Sequence, residues 1–311
     1  MARLHVEGWA PEYGAAVEPE DALSPAEGSV DLDVEDRPWE PIPGSDDGIP
    51  IVAFVDGVRR VDARLLLDDE SGPVPGICGS FAIGAVVWDR SAARSEVVRP
   101  LVVRMALLGE GHSPSLPPLP PWLEYLPSSV PDDDPASLIR SFHDAMRRAE
   151  AELAEDLAGS GYFVVADGPL YDYTASDKMG YVKSHRRSYL PDSSIIGTLP
   201  AAHRTPLFTI GEGRFRRYSW YLRLSDRAGG HSWVGVVRCE ASASLDRETV
   251  ARIADRSAAV LPKVGSEPHI EPRAPQNLVP IAALERDLRH RLGDAGLVLR
   301  ALRSAVAMGA A

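Results

Sequence analysis

Cysteine is nearly absent: 311 residues carry only Cys78 and Cys239, and the two do not stand at metal-ligand spacing. That excludes a disulfide framework and a structural zinc site, and reads as a reducing, cytoplasmic setting. No apolar run approaches the length of a membrane span. The N-terminus, Met-Ala-Arg-Leu-His-Val-Glu, has neither the basic nor the apolar region of a secretion signal. A Gly-x-x-x-x-Gly-Lys-Ser/Thr loop is missing too, so any ATP-driven motion must come from a partner. Nor is there a Gly-x-Ser-x-Gly elbow, or a serine, histidine and acid at suggestive spacing, which leaves a serine or cysteine hydrolase without support. Internal repeats are absent.

Positive charge is also scarce, with a formal net charge of −12. Its distribution matters more than its sum. Residues 1–47 hold thirteen acids against two bases, a net of −11, which leaves the remaining 264 residues at −1. Within them, 174–223 carries nine Lys/Arg against three acids, a net of +6. Phosphate binding needs a local basic surface rather than a basic protein, so nucleic acid stays open as a partner. The acidic segment 1–48 reads as a loosely structured edge piece, either a partner-docking arm or a solubilising cover. The body follows at 49–311.

Two apolar, β-branched runs end the same way, Ile51-Val-Ala-Phe-Val-Asp56-Gly57 and Tyr162-Phe-Val-Val-Ala-Asp167-Gly168. Such runs read as strands buried on both faces, as in the parallel part of an α/β sheet. The acids then lie at the carboxyl edge, where open α/β sheets bind ligands. Between the runs, Asp134-Pro135 marks a helix start. From it Ile139, Phe142, Met146, Leu153 and Leu157 recur along one helical face. Glu150 lies on that apolar stripe, whereas Glu152 and Glu155 point elsewhere. A carboxylate on a buried face costs several kcal/mol unless paired or metal-bound. Three acids meeting at one sheet edge repel one another, and a divalent cation resolves that conflict. Plainer readings stand beside this one. Asp56-Gly57 fits a type I′ hairpin turn, and Glu150 could pair with a buried arginine.

The remaining pattern predicts strands over 58–67, 77–88, 97–107, 214–224 and 231–240, an irregular proline-rich connection at 109–133, and helices near 246–260, 278–292 and 294–308. Residues 174–190 read as basic and aromatic with some helical character. The order is strand with Asp, antiparallel strands, helix with Glu, strand with Asp, then a mixed tail.

That order is the ribonuclease H-like order, a mixed α/β sheet flanked by helices. Within it the chain resembles the NurA nucleases, which work with the HerA translocase in DNA-end processing. The resemblance rests on Phe54-Val55-Asp56-Gly57, on Glu150 in Arg147-Arg148-Ala-Glu150-Ala-Glu152, and on Val164-Val165-Ala166-Asp167-Gly168-Pro169-Leu170. Gly180-Tyr-Val-Lys183-Ser and Trp233-Val-Gly-Val-Val-Arg238-Cys-Glu240 complete it. The chain departs from the family in having Val58 where a serine is usual. It also has Ala274-Pro275-Gln276-Asn277 where a tyrosine-proline and a later histidine are expected. Glu285 or Asp287 on the following helix would then stand in as a fourth carboxylate.

The resemblance implies a metal-dependent deoxyribonuclease, 5′–3′ on DNA ends and endonucleolytic on single strands. It also implies a homodimer with a HerA-like hexameric ATPase as partner. Asp56, Glu150 and Asp167, with Glu285, would hold two Mn²⁺ or Mg²⁺ ions, which all-oxygen ligation suits. Lys183 would sit beside the scissile phosphate. Arg59, Lys178, His185, Arg186, Arg187, Arg214, Arg216 and Arg217 would track the strand, with Tyr173, Tyr181, Tyr189 and Tyr218 interleaved for base stacking. The competing reading is an inactive clamp or partner module on the same fold.

Overall fold

The computed structural model describes residues 3–6, 29–69, 72–171, 176–183, 189–213, 216–226, 232–271 and 273–309. In chain order the strands are β1 (Arg3–Val6), β2 (Val30–Asp31), β3 (Ile42–Pro43), β4 (Ile51–Asp69), β5 (Gly72–Asp89), β6 (Arg94–Leu108) and β7 (Leu126–Ser129), then β8 (Phe163–Asp167), β9 (Lys178–Val182), β10 (His203–Arg204), β11 (Phe208–Ile210), β12 (Arg217–Arg223) and β13 (Val236–Ser242). The helices are α1 (Pro135–Gly159), α2 (Ser194–Thr198), α3 (Arg247–Val260), α4 (Val279–Arg291) and α5 (Ala295–Gly309). No helix is long and apolar enough to cross a membrane.

The strands form one mixed sheet whose main path runs β2-β11-β12-β13-β9-β8-β4-β5-β6-β7. β4, β5 and β6 make an antiparallel meander. β8 pairs parallel to β4 over Val52–Val55, and β9 pairs parallel to β8. α1 is the crossover between β7 and β8. It begins as read from the sequence, with the Asp134 side chain accepting the Ala136 N–H and Pro135 in the first turn.

Alternation along β4 sorts the two faces. Ala53 and Val55 pack with Leu138, Phe142, Met146, Leu153 and Leu157 of α1. Val52 and Phe54 pack with Val165, Met179, Tyr181 and, from the helices opposite, Val250, Ile253 and Ile281. Further along, Val58 meets Leu284 and Leu288 of α4. The sheet is thus covered on one face by α1 and on the other by α3 and α4.

Four expectations need correction. β4 does not stop at Asp56-Gly57 but runs straight through it for 19 residues, so that dipeptide is not a turn. Its long antiparallel pairing with β5 carries it on, and the ladder closes at Asp69 opposite Gly72. What ends at Asp56 is the parallel partner, because β8 pairs only as far as Val55. Residues 178–182 within the basic stretch are strand, not helix, fixed by β8 on one side and β13 on the other. β12 begins at Arg217 rather than 214, and β13 at Val236 rather than 231. Finally, residues 29–48 are woven into the sheet, with β2 on β11 and β3 on β10.

Candidate metal centre and its surroundings

Parity places Asp56 on the α4 face of β4, beside Phe54. Asp167 and Lys183 follow Val165 and Tyr181 on that same face, from β8 and from the end of β9. Glu285 descends from α4. Carboxylate oxygens of Asp56, Asp167 and Glu285 all lie within 4.8 Å of one another, and Asp56 and Glu285 are only 8% and 6% exposed.

Glu150 arrives from the other face. It stands on α1 opposite Gly57, whose missing side chain makes the room: a Cβ at Gly57 would collide with Glu150 Oε1 and press on Ile83 Cγ2 at 3.1 Å. The backbone at Gly57 is ordinary strand, so glycine is needed there for space. Glu150 also lies 3.6 Å from Arg147 Nη1, so the arginine-paired reading and the acid-cluster reading both describe it. Arg147 donates to the carbonyls of Asp167, at 3.2 Å, and Pro169, clamping the turn after β8 onto α1. Gly168, at φ +88, permits that turn; a Cβ there would sit 2.9 Å from Arg147 Nη1.

The charges do not cancel. Lys183 Nζ donates to Asp167 Oδ2 at 2.6 Å and to Asn277 Oδ1 at 3.1 Å. Arg273 and Arg289 donate to Glu285 Oε2 at 3.0 and 3.1 Å. The Asp56 carboxylate receives only the N–H of Gly57, at 2.8 Å, among the hydrogen bonds of the described residues. Burial, then the negative charges of Asp167 and Glu150, push its pKa well above the usual carboxylate range; Glu285 adds to this and Lys183 opposes it. Asp167 Oδ1 is buried and has no hydrogen-bond partner among the described residues. Burial works against the Lys183 ammonium, but Asp167, Asp56 and Glu285 more than offset it and raise its pKa. Lys183 is therefore a fixed cation at neutral pH, not a base.

Clustered oxygen donors, one buried lone-pair atom without a partner and one acid that resists ionisation fit a divalent cation bound by oxygen ligands. Asp56, Asp167 and Glu285 are the residues that fit it most closely, with Glu150 at their flank.

The other sequence-derived residues are dispersed. Lys178 is buried at the start of β9, paired with Glu155 at 2.6 Å. Arg217 is buried too and donates to Glu240 Oε1 at 2.8 Å; Arg238 joins them, and Glu240 Oε2 accepts from the Leu170 N–H at 3.2 Å. The structure therefore gives Arg217 a buried partner and Lys178 a partner on α1, and Lys178 lines the same small pocket as Glu150 and Asp167. Arg216 is on the surface near Asp31, 3.8 Å away. Arg59 lies on β4 three residues beyond Asp56. His185, Arg186, Arg187 and Arg214 lie outside the described residues, as does Tyr173. Tyr181 is fully buried, its hydroxyl donating to the Gln276 carbonyl at 2.7 Å, and is closed to base stacking.

Two residues of the centre carried no role in the sequence reading. Asn277 is buried between Lys183 and Glu271, and Arg273 bridges Glu271 and Glu285. Both lie in the segment before α4 where the expected tyrosine and histidine are missing.

No family profile and no curated protein matches the chain. Among solved structures it is similar to the NurA nuclease from Sulfolobus solfataricus, at 12% identity and a TM-score of 0.45, over 84% of this chain and 85% of that one. It is also similar to the catalytic domain of human Endonuclease V, at 15% identity and a TM-score of 0.33, over 79% and 85%.

Proposed function

We propose that this chain is a metal-dependent DNA nuclease of the NurA type. The observation that carries the reading is the convergence of three acids, Asp56, Asp167 and Glu285, with Glu150 at their flank across Gly57. Asp56 and Asp167 Oδ1 lack the side-chain hydrogen bonds that would make such a cluster self-sufficient. A purely structural cluster would be neutralised internally, since each unpaired buried carboxylate is costly.

Divalent ions held by these carboxylates, two by the family's pattern, would supply Lewis-acid polarisation of the phosphodiester and activation of water. The remaining work falls to the chain itself. Lys183, held ionised between Asp167 and Asn277, places a fixed positive charge where a phosphate oxygen gains negative charge. Arg273 and Arg289 orient the Glu285 carboxylate. Arg147 fixes the turn that carries Asp167 and keeps Glu150 beside it. Action on DNA ends and single strands, a homodimer and a HerA-like hexameric ATPase that supplies motion complete the reading.

A second reading has its own support: Lys183 pairs with Asp167, Arg273 and Arg289 with Glu285, and Arg147 with Glu150, an internal neutralisation that favours an inert DNA-binding clamp. One experiment separates them. End-labelled single- and double-stranded DNA is incubated with the protein in Mn²⁺, Mg²⁺ or EDTA, beside Asp56→Ala and Glu150→Ala. Metal-dependent cutting that both variants lose supports the nuclease. Tight binding without cutting, with a HerA-like ATPase present as well, supports the clamp.

A further inference from the structure

The α1 face of β4 holds a basic group that nothing among the described residues neutralises. Ala53, Val55 and Gly57 point toward α1, and Val61 packs there as well, so Arg59 lies on the same face just past Glu150's contact. Arg59 is partly buried. Its Nε is shielded from solvent without a hydrogen-bond partner, and its guanidinium makes no hydrogen bond or ion pair among the described residues. On the buried face of α1, His143 lies close enough to feel the Arg59 charge and adjoins Phe142, whose ring meets that of Phe81, the β5 residue paired with Arg59; it likewise has no partner among the described residues.

Arg147, one turn further along α1, adds a third basic group. Its donors are committed to backbone carbonyls, but its charge remains. Burial first, then the charges of Arg59 and Arg147, lower the His143 pKa to about 4, so the ring is neutral near pH 7. The acid next in sequence, Asp144, is within reach of Arg140, Arg147 and Arg148. Glu150 is answered by Arg147.

We propose that Arg59 and His143, with the charge of Arg147 behind them, form a phosphate subsite that holds the nucleic-acid strand on the α1 side of the carboxylate cluster. A guanidinium offers a forked pair of donors to phosphate oxygens, and an imidazole adds one more. Arg59 stands two residues along β4 from Gly57, the glycine against which Glu150 packs, so a phosphate held there lies beside Glu150 on the α1 face. A phosphate can accept from the forked guanidinium and from the neutral imidazole together. The identity of the ligand rests on the nuclease reading; the existence of the subsite does not require cutting.

The test is made in EDTA, so that hydrolysis plays no part. Binding of a fluorescein-labelled oligothymidine, roughly twenty nucleotides long, is followed by anisotropy across a salt series for the parent, Arg59→Gln, Arg59→Lys and His143→Gln. Arg59→Gln is expected to bind roughly tenfold more weakly, with a salt slope shallower by about 0.7, the share of one phosphate on a single strand. Arg59→Lys is expected to keep the slope while losing affinity, because it keeps charge without the fork. A parent that does not bind, or an Arg59→Gln variant with unchanged affinity and slope, overturns the subsite. Independently of any variant, the His143 ring signals in the parent's NMR spectrum should move as the oligonucleotide saturates; static signals overturn it as well. Loss of binding in Arg59→Gln together with no cutting by the parent in Mn²⁺ would keep the subsite and reject the nuclease.

Discussion

At the scale of single residues, Asp56 and Gly57 make opposite demands on one another's surroundings. Asp56 has a folded-state pKa raised above its unfolded value by burial and by Asp167 and Glu150. The folded chain then binds that proton more tightly than the unfolded chain, so stability falls as pH rises between the two values and stays reduced above them. Asp56→Asn cannot ionise. In EDTA it should melt higher than the parent at pH 7–8, by roughly 2–4 °C, and converge with it near pH 4. A calorimetric pH series checks this, and an Asp56→Asn protein no more stable than the parent at pH 8 would reject the unpaired-acid account. Gly57→Ala tests the steric side. The added methyl would displace Glu150 Oε1, which should lower stability by about 1–3 kcal/mol. Cutting should fall by roughly 10²-fold, as expected for a misplaced catalytic group. Combining it with Glu150→Ala should return much of the stability and none of the activity, a coupling readable in a double-mutant cycle.

At the scale of elements, the acidic segment 29–48 acts as a strap whose acids are used on the body. Glu35 accepts from Arg204 at 2.8 and 2.9 Å and from the Leu207 N–H at 2.7 Å, Asp47 accepts from Arg256 at 2.9 Å, and Asp46 pairs with Arg90 and Lys263. Burial alone would raise the Glu35 pKa, but the Arg204 hydrogen bonds and charge outweigh it and lower it. A depressed carboxylate pKa contributes stability above the unfolded value that is lost as pH falls through the folded one. Glu35→Gln should therefore cost about 3 kcal/mol at pH 7, seen as a lower urea midpoint, with parent and variant converging in acid. Equal midpoints at pH 7 would show that Asp255, 2.7 Å from Arg204 Nε, satisfies the arginine alone. Such long-range pairing also marks the limit of what the sequence discloses. Helix starts and stripes are local, so α1, α3, α4 and α5 were legible to within a residue or two. Glu150 was legible as an acid on an apolar stripe, and Glu285, between Leu284 and Leu288, carries the same mark. The interior roles of Lys178 and Arg217 were not legible, because Glu155 and Glu240 stand 23 residues away from each in sequence. Asn277 meets Lys183 across 94 residues, and no local pattern reports that. Asp56-Gly57 misleads for the complementary reason: its local chemistry is that of a turn, and only the ladder with β5 makes it strand.

At the scale of the whole molecule, two charge imbalances of the same sign sit in different places and should respond differently to ions. The net −12 is concentrated in an N-terminal stretch whose described acids are largely answered by arginines and lysine, whereas the buried carboxylates are answered incompletely. Monovalent salt screens exposed charges and reaches buried ones much less. A divalent ion that binds only the folded chain stabilises it by mass action, about 2.7 kcal/mol at a hundredfold excess over its dissociation constant. Mn²⁺ should therefore raise the melting temperature by roughly 5 °C, in a saturable manner, while an equal ionic strength of NaCl does not. Asp56→Asn and Glu285→Gln should each remove most of that increment, and Asp46→Asn, which loosens only the strap's pairs with Arg90 and Lys263, should leave it intact. A rise that survives Asp56→Asn would place the ion elsewhere on the acidic surface. No rise at all would mean that Lys183, Arg273 and Arg289 already neutralise the cluster, and the clamp reading would then be preferred.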